Sequence, residues 1–236
     1  AAKFLVDRNA RLMIVACGTA SSVATKHLQE TVPIPVIGIV EGFCSYVNEI
    51  LADKNETIAV LATRFTIKSG RFAEILNSYG INNVWSKACP LFVPIVEEGI
   101  AEGPLVENVC NLYLSEIPES TKIVMLSCTH YPRLAKSVAI YLKNKTNRTV
   151  IYKNLDGDHV LAEGELKTNP IYMVDSSLAI MRAISSFLEK TQFAAEICGE
   201  SMRHTFCTDS PAQFAESAKL LTDISLPHLQ MAVLAE

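Results

Sequence analysis

Lys122–Arg133 reads KIVMLSCTHYPR, and the architecture of the whole chain can be worked out from it. Ile123–Leu126 is a short apolar run, the length of a buried strand. It leads into Cys128-Thr129-His130, and Pro132 stands where the first turn of a helix begins. A strand that hands directly into a helix puts these side chains at the carboxyl end of a sheet, where open α/β sheets bind ligands. A thiol beside an imidazole at a helix N-terminus is also placed to lose its proton.

The same grammar occurs earlier. Leu12–Ala16 is an apolar run that ends in Cys17-Gly18-Thr19 and is followed by a helical stretch, Ala20–Glu30, with Val23, Ala24, His27 and Leu28 on one face. Two cysteines in equivalent positions of two similar units point to a pair of thiols facing one substrate. Further out, strands are expected at 32–40, 57–62, 83–86, 123–127, 172–174 and 203–208. Helices are expected at about 45–52, 68–77, 93–98, 104–116, 132–143, 178–189 and 211–221. Residues 149–171 read as a strand with an irregular excursion, with turn signals at Asp156-Gly157-Asp158 and Asn169-Pro170. Alternating strands and helices imply an α/β fold with a mostly parallel sheet and right-handed crossovers.

Composition narrows the function. With 49% hydrophobic residues, the 236-residue chain can bury a large core. A net charge of −4 without a basic block argues against a nucleic-acid surface. No apolar run approaches a membrane span, and the N-terminus lacks a secretory h-region. The seven cysteines include no C-x-x-C pair and no zinc-finger spacing, so the reading is reduced thiols in the cytoplasm and no metal site. Cys44, Cys89, Cys110, Cys198 and Cys207 read as small buried apolar residues. Neither G-x-G-x-x-G nor a P-loop occurs, so no cofactor is expected.

The motifs together resemble those of glutamate racemases. VACGTAS (15–21) is similar to the family's first-cysteine motif and SCTHYP (127–132) to its second. ACPLFVPIVEEG (88–99), LATRFTIKSG (61–70), VDSS (174–177) and FCTDSPAQF (206–214) also fit the family's pattern. The resemblance implies two similar α/β domains with the active site in the cleft between them. The first would combine residues 1–41 and 176–236, and the second would span 42–175. It implies a cofactor-independent proton transfer at Cα of free glutamate, supplying D-glutamate for peptidoglycan. By resemblance Cys17 and Cys128 are the acid/base pair, His130 the partner of Cys128, and Glu97 a supporting carboxylate. Gly18, Thr19, Thr63, Thr129 and His130 match substrate-binding positions. The expected partner is the small-molecule substrate, with no nucleic acid and no membrane, and a homodimer is compatible with this reading. The alternatives are a racemase for aspartate or another amino acid, and a silent family member acting as a binding protein.

Two departures from the pattern carry expectations. The family has Asn where Gly18 stands, so Gly18→Asn is expected to lower KM. The family also opens with a strand ending in Asp-Ser-Gly and has a Tyr-Gly pair further on, and neither precedes Cys17 here. The chain is therefore expected to be an incomplete racemase, with Cys128 keeping its partner while Cys17 has none.

Overall fold

The computed structural model of the chain describes residues 1–191, 203–222, 226 and 228–233. Its centre is a six-stranded sheet built from β3 (Thr57–Ala62), β4 (Val84–Ala88), β5 (Thr121–Leu126), β6 (Arg148–Asn154), β7 (Gly157–Ala162) and β8 (Leu166–Asp175). Strand labels count two shorter strands ahead of these, β1 (Met13–Val15) and β2 (Val36–Gly38), which pair in parallel as a separate sheet. The order across the large sheet is β4-β3-β5-β8-β6-β7, parallel throughout except for the β6–β7 hairpin. A third small parallel pair joins β9 (Thr205–Cys207) and β10 (Leu229–Met231).

The central strands are buried on both faces, as parallel sheets are. Their residues alternate between two cores. Ala59, Leu61, Val124, Leu126, Ile171 and Met173 face one core, filled by α6 (Phe92–Glu97), α7 (Pro104–Leu114) and α8 (Ala135–Thr146). Ile58, Val60, Ile123, Met125 and Val174 face the other, filled by α3 (Ile39–Ile50), α5 (Arg71–Ser78) and α9 (Ser176–Thr191). The remaining helices are α1 (Ala2–Val6), α2 (Gly18–Thr31), α4 (Arg64–Ser69) and α10 (Pro211–Thr222). Cys44, Cys89, Cys110 and Cys207 are buried as expected, and Cys198 lies outside the described residues.

The segments 32–40 and 149–171 differ from the sequence expectation. The run 32–40 is a strand only over Val36–Gly38, because Pro33 and Pro35 have no N–H to give a ladder and Ile39 already starts α3. Its apolar residues continue as Val40, Phe43, Cys44 and Val47, a helical spacing that a short apolar run hides. The boundary expected at 41/42 falls inside this helix. The excursion at 149–171 is three strands, with the turn at Leu155-Asp156 and Gly157 at φ 120°. Asn169-Pro170 lies within β8 and not in a turn.

Arg148 explains how β8 tolerates that proline. It is 5% exposed, and its guanidinium donates to the carbonyls of Asn169 (2.7 Å), Glu119 (2.8 Å), Thr121 (2.7 Å) and Pro170 (3.3 Å) and to Asn169 Oδ1 (3.2 Å). Removing it strands several buried carbonyls, each costing about 1–3 kcal/mol. Arg148→Met is therefore expected to lower the unfolding free energy by roughly 3–5 kcal/mol, read from urea unfolding with an unchanged m-value. A loss below 1 kcal/mol, as typical of an exposed substitution, would show that water replaces the guanidinium there.

Candidate active site

The site lies where β1, β3 and β5 hand over to their helices. Cys17 is the N-cap of α2, with extended backbone (φ −78°, ψ 121°), and its side chain is exposed. The next residues open the helix, so Thr19 sits in its first turn. Thr63 is the N-cap of α4, its Oγ1 accepting from the Thr66 amide at 3.4 Å. This is the local bonding that a Thr at a helix start favours. Cys128 comes two residues after β5, and Ser127 N–H still pairs with the Leu61 carbonyl at 2.9 Å. His130 then caps the 3₁₀ turn Tyr131–Leu134, in which Pro132 lies as its sequence position predicts.

The geometry around Cys128 is a chain of three groups. Cys128 Sγ lies 3.8 Å from His130 Nδ1, and His130 Nε2 lies 3.2 Å from Glu97 Oε1. An ionised carboxylate only accepts, so Nε2 carries the proton and a neutral ring leaves Nδ1 free to accept. The imidazole is thus set to take a proton from the thiol and return it. Thr129 Oγ1 stands 3.5 Å from the same Nδ1. Glu97 itself is half exposed, so solvent screens its charge.

Cys128 is 9% exposed, and burial pushes its thiol above the ordinary range. The backbone N–H of His130 opposes this, the charges of Cys17 and Glu97 add to it, and the N–H of Tyr131 opposes it again. The sequence expectation of an easily ionised thiol is corrected here: the turn's N–H groups act in the expected direction, but desolvation outweighs them.

Thr19, Thr63 and Thr66 form a triangle of hydroxyls, with Oγ1 atoms 2.9 Å (19–63), 3.2 Å (19–66) and 2.9 Å (63–66) apart. Each hydroxyl can donate one bond and accept one around the ring. Lone pairs, not protons, are then what the ring offers a ligand. Sequence reasoning misses Thr66 as a site residue. Its signal is the Thr-x-x-Thr spacing, which returns the second hydroxyl to the first across one helical turn.

Of the residues expected in the site, the structure joins Cys128, Thr129, His130 and Glu97 in one network and Thr19 with Thr63 in another. Beside them lies a cavity of about 460 Å³, lined in part by Ala16, Thr129, His130, Arg133, Asp175 and Ser177. Asp175 caps α9: its Oδ1 accepts from the Ser177 amide and hydroxyl, both at 2.7 Å, while Tyr152 Oη donates to Oδ2. Among the described residues, no group of three or more His, Cys, Asp and Glu side chains converges as a metal site would need.

Gly18 contributes by what it lacks. A Cβ there would stand 2.8 Å from the Ser127 carbonyl oxygen, closer than packed atoms approach. The first turn of α2 therefore rests directly on the backbone that precedes Cys128. This contact turns round the expectation for Gly18→Asn, since any side chain must part the two segments before its amide gains a bond. Gly18→Ala is expected to destabilise by about 1–3 kcal/mol, the usual cost of overpacking, and Gly18→Asn to leave KM no lower. Both are read from thermal unfolding and steady-state kinetics, and a lower KM in Gly18→Asn would restore the hydrogen-bond argument.

A model of the Asp/Glu/Hydantoin racemase family matches residues 1–151. Among curated relatives, glutamate racemase of Aquifex aeolicus is 42% identical over 143 residues, covering 60% of this chain and 55% of that protein. The chain spans about half the length of the curated relatives it matches. Among solved structures, glutamate racemase from Francisella tularensis in complex with D-glutamate superposes with a TM-score of 0.77 at 28% identity. It covers 98% of this chain and 77% of that one. The Thermus thermophilus glutamate racemase in complex with beta-chloro-D-alanine gives a TM-score of 0.78 at 25% identity, covering 99% and 76%.

Proposed function

The chain belongs to the Asp/Glu/Hydantoin racemase family, and from that membership we propose that it interconverts L- and D-glutamate by proton transfer between two thiols. The observation that carries this reading is the Cys128–His130–Glu97 chain together with the close approach of Gly18, next to Cys17 at the start of α2, to the carbonyl of Ser127, next to Cys128. One thiolate takes the Cα proton, and the electron pair left on carbon is delocalised into the α-carboxylate. The opposite thiol then returns a proton to the other face, so each cycle exchanges the protonation states of the two cysteines. Both thiols then return to their starting states: Cys128 passes or takes its proton through His130 Nδ1, and exposed Cys17 exchanges the balancing proton with solvent. The hydroxyl ring of Thr19, Thr63 and Thr66 offers lone pairs to the α-ammonium, and Thr129 a further polar contact. The D-glutamate formed would supply peptidoglycan, and the enzyme would work in the cytoplasm, where thiols stay reduced. Among the described residues, no helix is long and apolar enough to cross a membrane.

The domain division is part of the same proposal: 42–175 around the six-stranded sheet, and 1–41 with 176–236 around the two small parallel pairs, with the substrate between them. In this division α3 spans the seam. The test is proton NMR in deuterium oxide. Loss of the Cα proton signal from L- or D-glutamate, with the other enantiomer appearing, supports the reading, and exchange with aspartate in preference to glutamate would reassign the substrate. No exchange with either amino acid would favour a silent binding protein.

A further inference from the structure

The helix that presents Cys17 is held by its polar side. The residues of α2 that are buried are Gly18, Ser21 and Thr25, whereas Val23 on the apolar face is 56% exposed. Ser21 and Thr25 are almost wholly enclosed, and Ser21, bonded to Thr25, meets Glu41 of α3. Ser21 Oγ donates to Glu41 Oε2 at 3.4 Å, accepts from the Val40 amide at 3.2 Å, and lies 3.0 Å from Thr25 Oγ1. Gly38 makes the space: a Cβ there would stand 2.3 Å from Glu41 Oε2, 2.4 Å from Thr25 Oγ1 and 2.6 Å from Ser21 Oγ.

The other carboxylate oxygen of Glu41 leads to a second part of the site. Arg71 donates to Glu41 Oε1 from Nη2 at 3.2 Å and from Nε at 3.4 Å. Arg71 opens α5, immediately after Gly70, whose φ of 69° makes the corner with α4. That corner belongs to the same short segment as Thr63 and Thr66, whose hydroxyls bond Thr19. So α2 is tied to the α4–α5 segment at two levels, by Thr19 in its first turn and by Ser21 through Glu41 to Arg71. In its first turn, too, Gly18 rests on the Ser127 carbonyl.

We propose that Glu41 is a positioning residue for Cys17: through Ser21 on one side and Arg71 on the other, it fixes the depth and roll of α2, and with them the place of the Cys17 thiol relative to Cys128. The Cys128 chain of His130 and Glu97 does not pass through it, so the effect is confined to one thiol. The catalytic part of this inference rests on the racemase reading above.

The test uses the full chain with Glu41→Ala and the nearly isosteric Glu41→Gln. Each enantiomer of glutamate is followed for Cα deuterium exchange, and the rates of iodoacetamide alkylation of Cys17 and Cys128 are read by peptide mass spectrometry. Glu41→Ala is expected to lower kcat for exchange on the Cys17 face by on the order of 10- to 100-fold, the cost of a misplacement near 1 Å. Exchange on the Cys128 face and KM should change little, and Glu41→Gln, whose amide oxygen can still accept from Arg71 while its NH2 donates to Ser21 Oγ, should recover most of the loss. The alkylation rate of Cys17 should shift in Glu41→Ala while that of Cys128 does not. Equal loss on both faces, or alkylation rates that move together or not at all, would overturn the proposal. If the parent chain exchanges neither enantiomer, the racemase reading fails, and the alkylation comparison alone still decides whether Glu41 places Cys17.

Discussion

Cys17→Ser and Cys128→Ser are each expected to reduce racemisation by on the order of 10²–10⁴-fold, the scale of a positioned acid or base. Serine keeps the shape and a hydroxyl, but its proton is held far more tightly than a thiol's, so it cannot serve as the base. The two losses should differ in kind. With Cys17 replaced, exchange at the face served by Cys128 should persist with the chirality retained, because one thiol and His130 suffice for removal and return on the same side. With Cys128 replaced, only the enantiomer served by Cys17 should exchange. The pH dependence should separate them further. Burial holds the Cys128 thiol above the ordinary thiol range of about 8.5. A raised value means the proton stays on at neutral pH, so exchange that needs Cys128 as base should keep rising with pH beyond that range. Full turnover retained in both single variants would sink the two-thiol mechanism.

His130→Asn is the second large effect. The amide can occupy the space near Cys128 Sγ but can neither take nor return a proton at neutral pH. The expected loss is again on the order of 10²–10⁴-fold in kcat, the contribution of general acid–base catalysis, and it should fall on the enantiomer that Cys128 deprotonates. Glu97→Gln should cost less, because Glu97 is half exposed and acts only by holding the proton on Nε2. A useful signature is the order of these losses, since a purely structural His130 would lower both faces alike. If exchange at the Cys128 face survives His130→Asn unchanged, then Cys128 resets through solvent and the imidazole is a bystander.

Much of this molecule is local and could be read along the chain. The Thr57–Ala62 strand, the helix opened by Pro104 and the two strand–Cys–helix units depend on residues a few positions apart, where period and turn chemistry decide. The Cys128–His130 pair belongs to the same class, since its members stand two positions apart. The identity of the core was legible too, because a strand buried on both faces is apolar at every position, as Ile123–Leu126 is.

What the tertiary structure alone decided involves groups distant in sequence. Glu97 reaches His130 across 33 residues, and Thr19 meets Thr63 across 44. The burial that raises Cys128 is a sum over elements from the whole chain. The length of β2 was decided by its C-terminal neighbour, since Ile39–Val47 buries its apolar side chains as a helix against β3 and β5. For α2 the sequence pointed to an apolar face, yet the buried side is Gly18, Ser21 and Thr25, because it meets a carbonyl oxygen and a carboxylate there. A pattern of hydrophobicity reports which residues leave water most readily. It does not report which polar groups find partners once they have left it, and at this site those partners come from other elements.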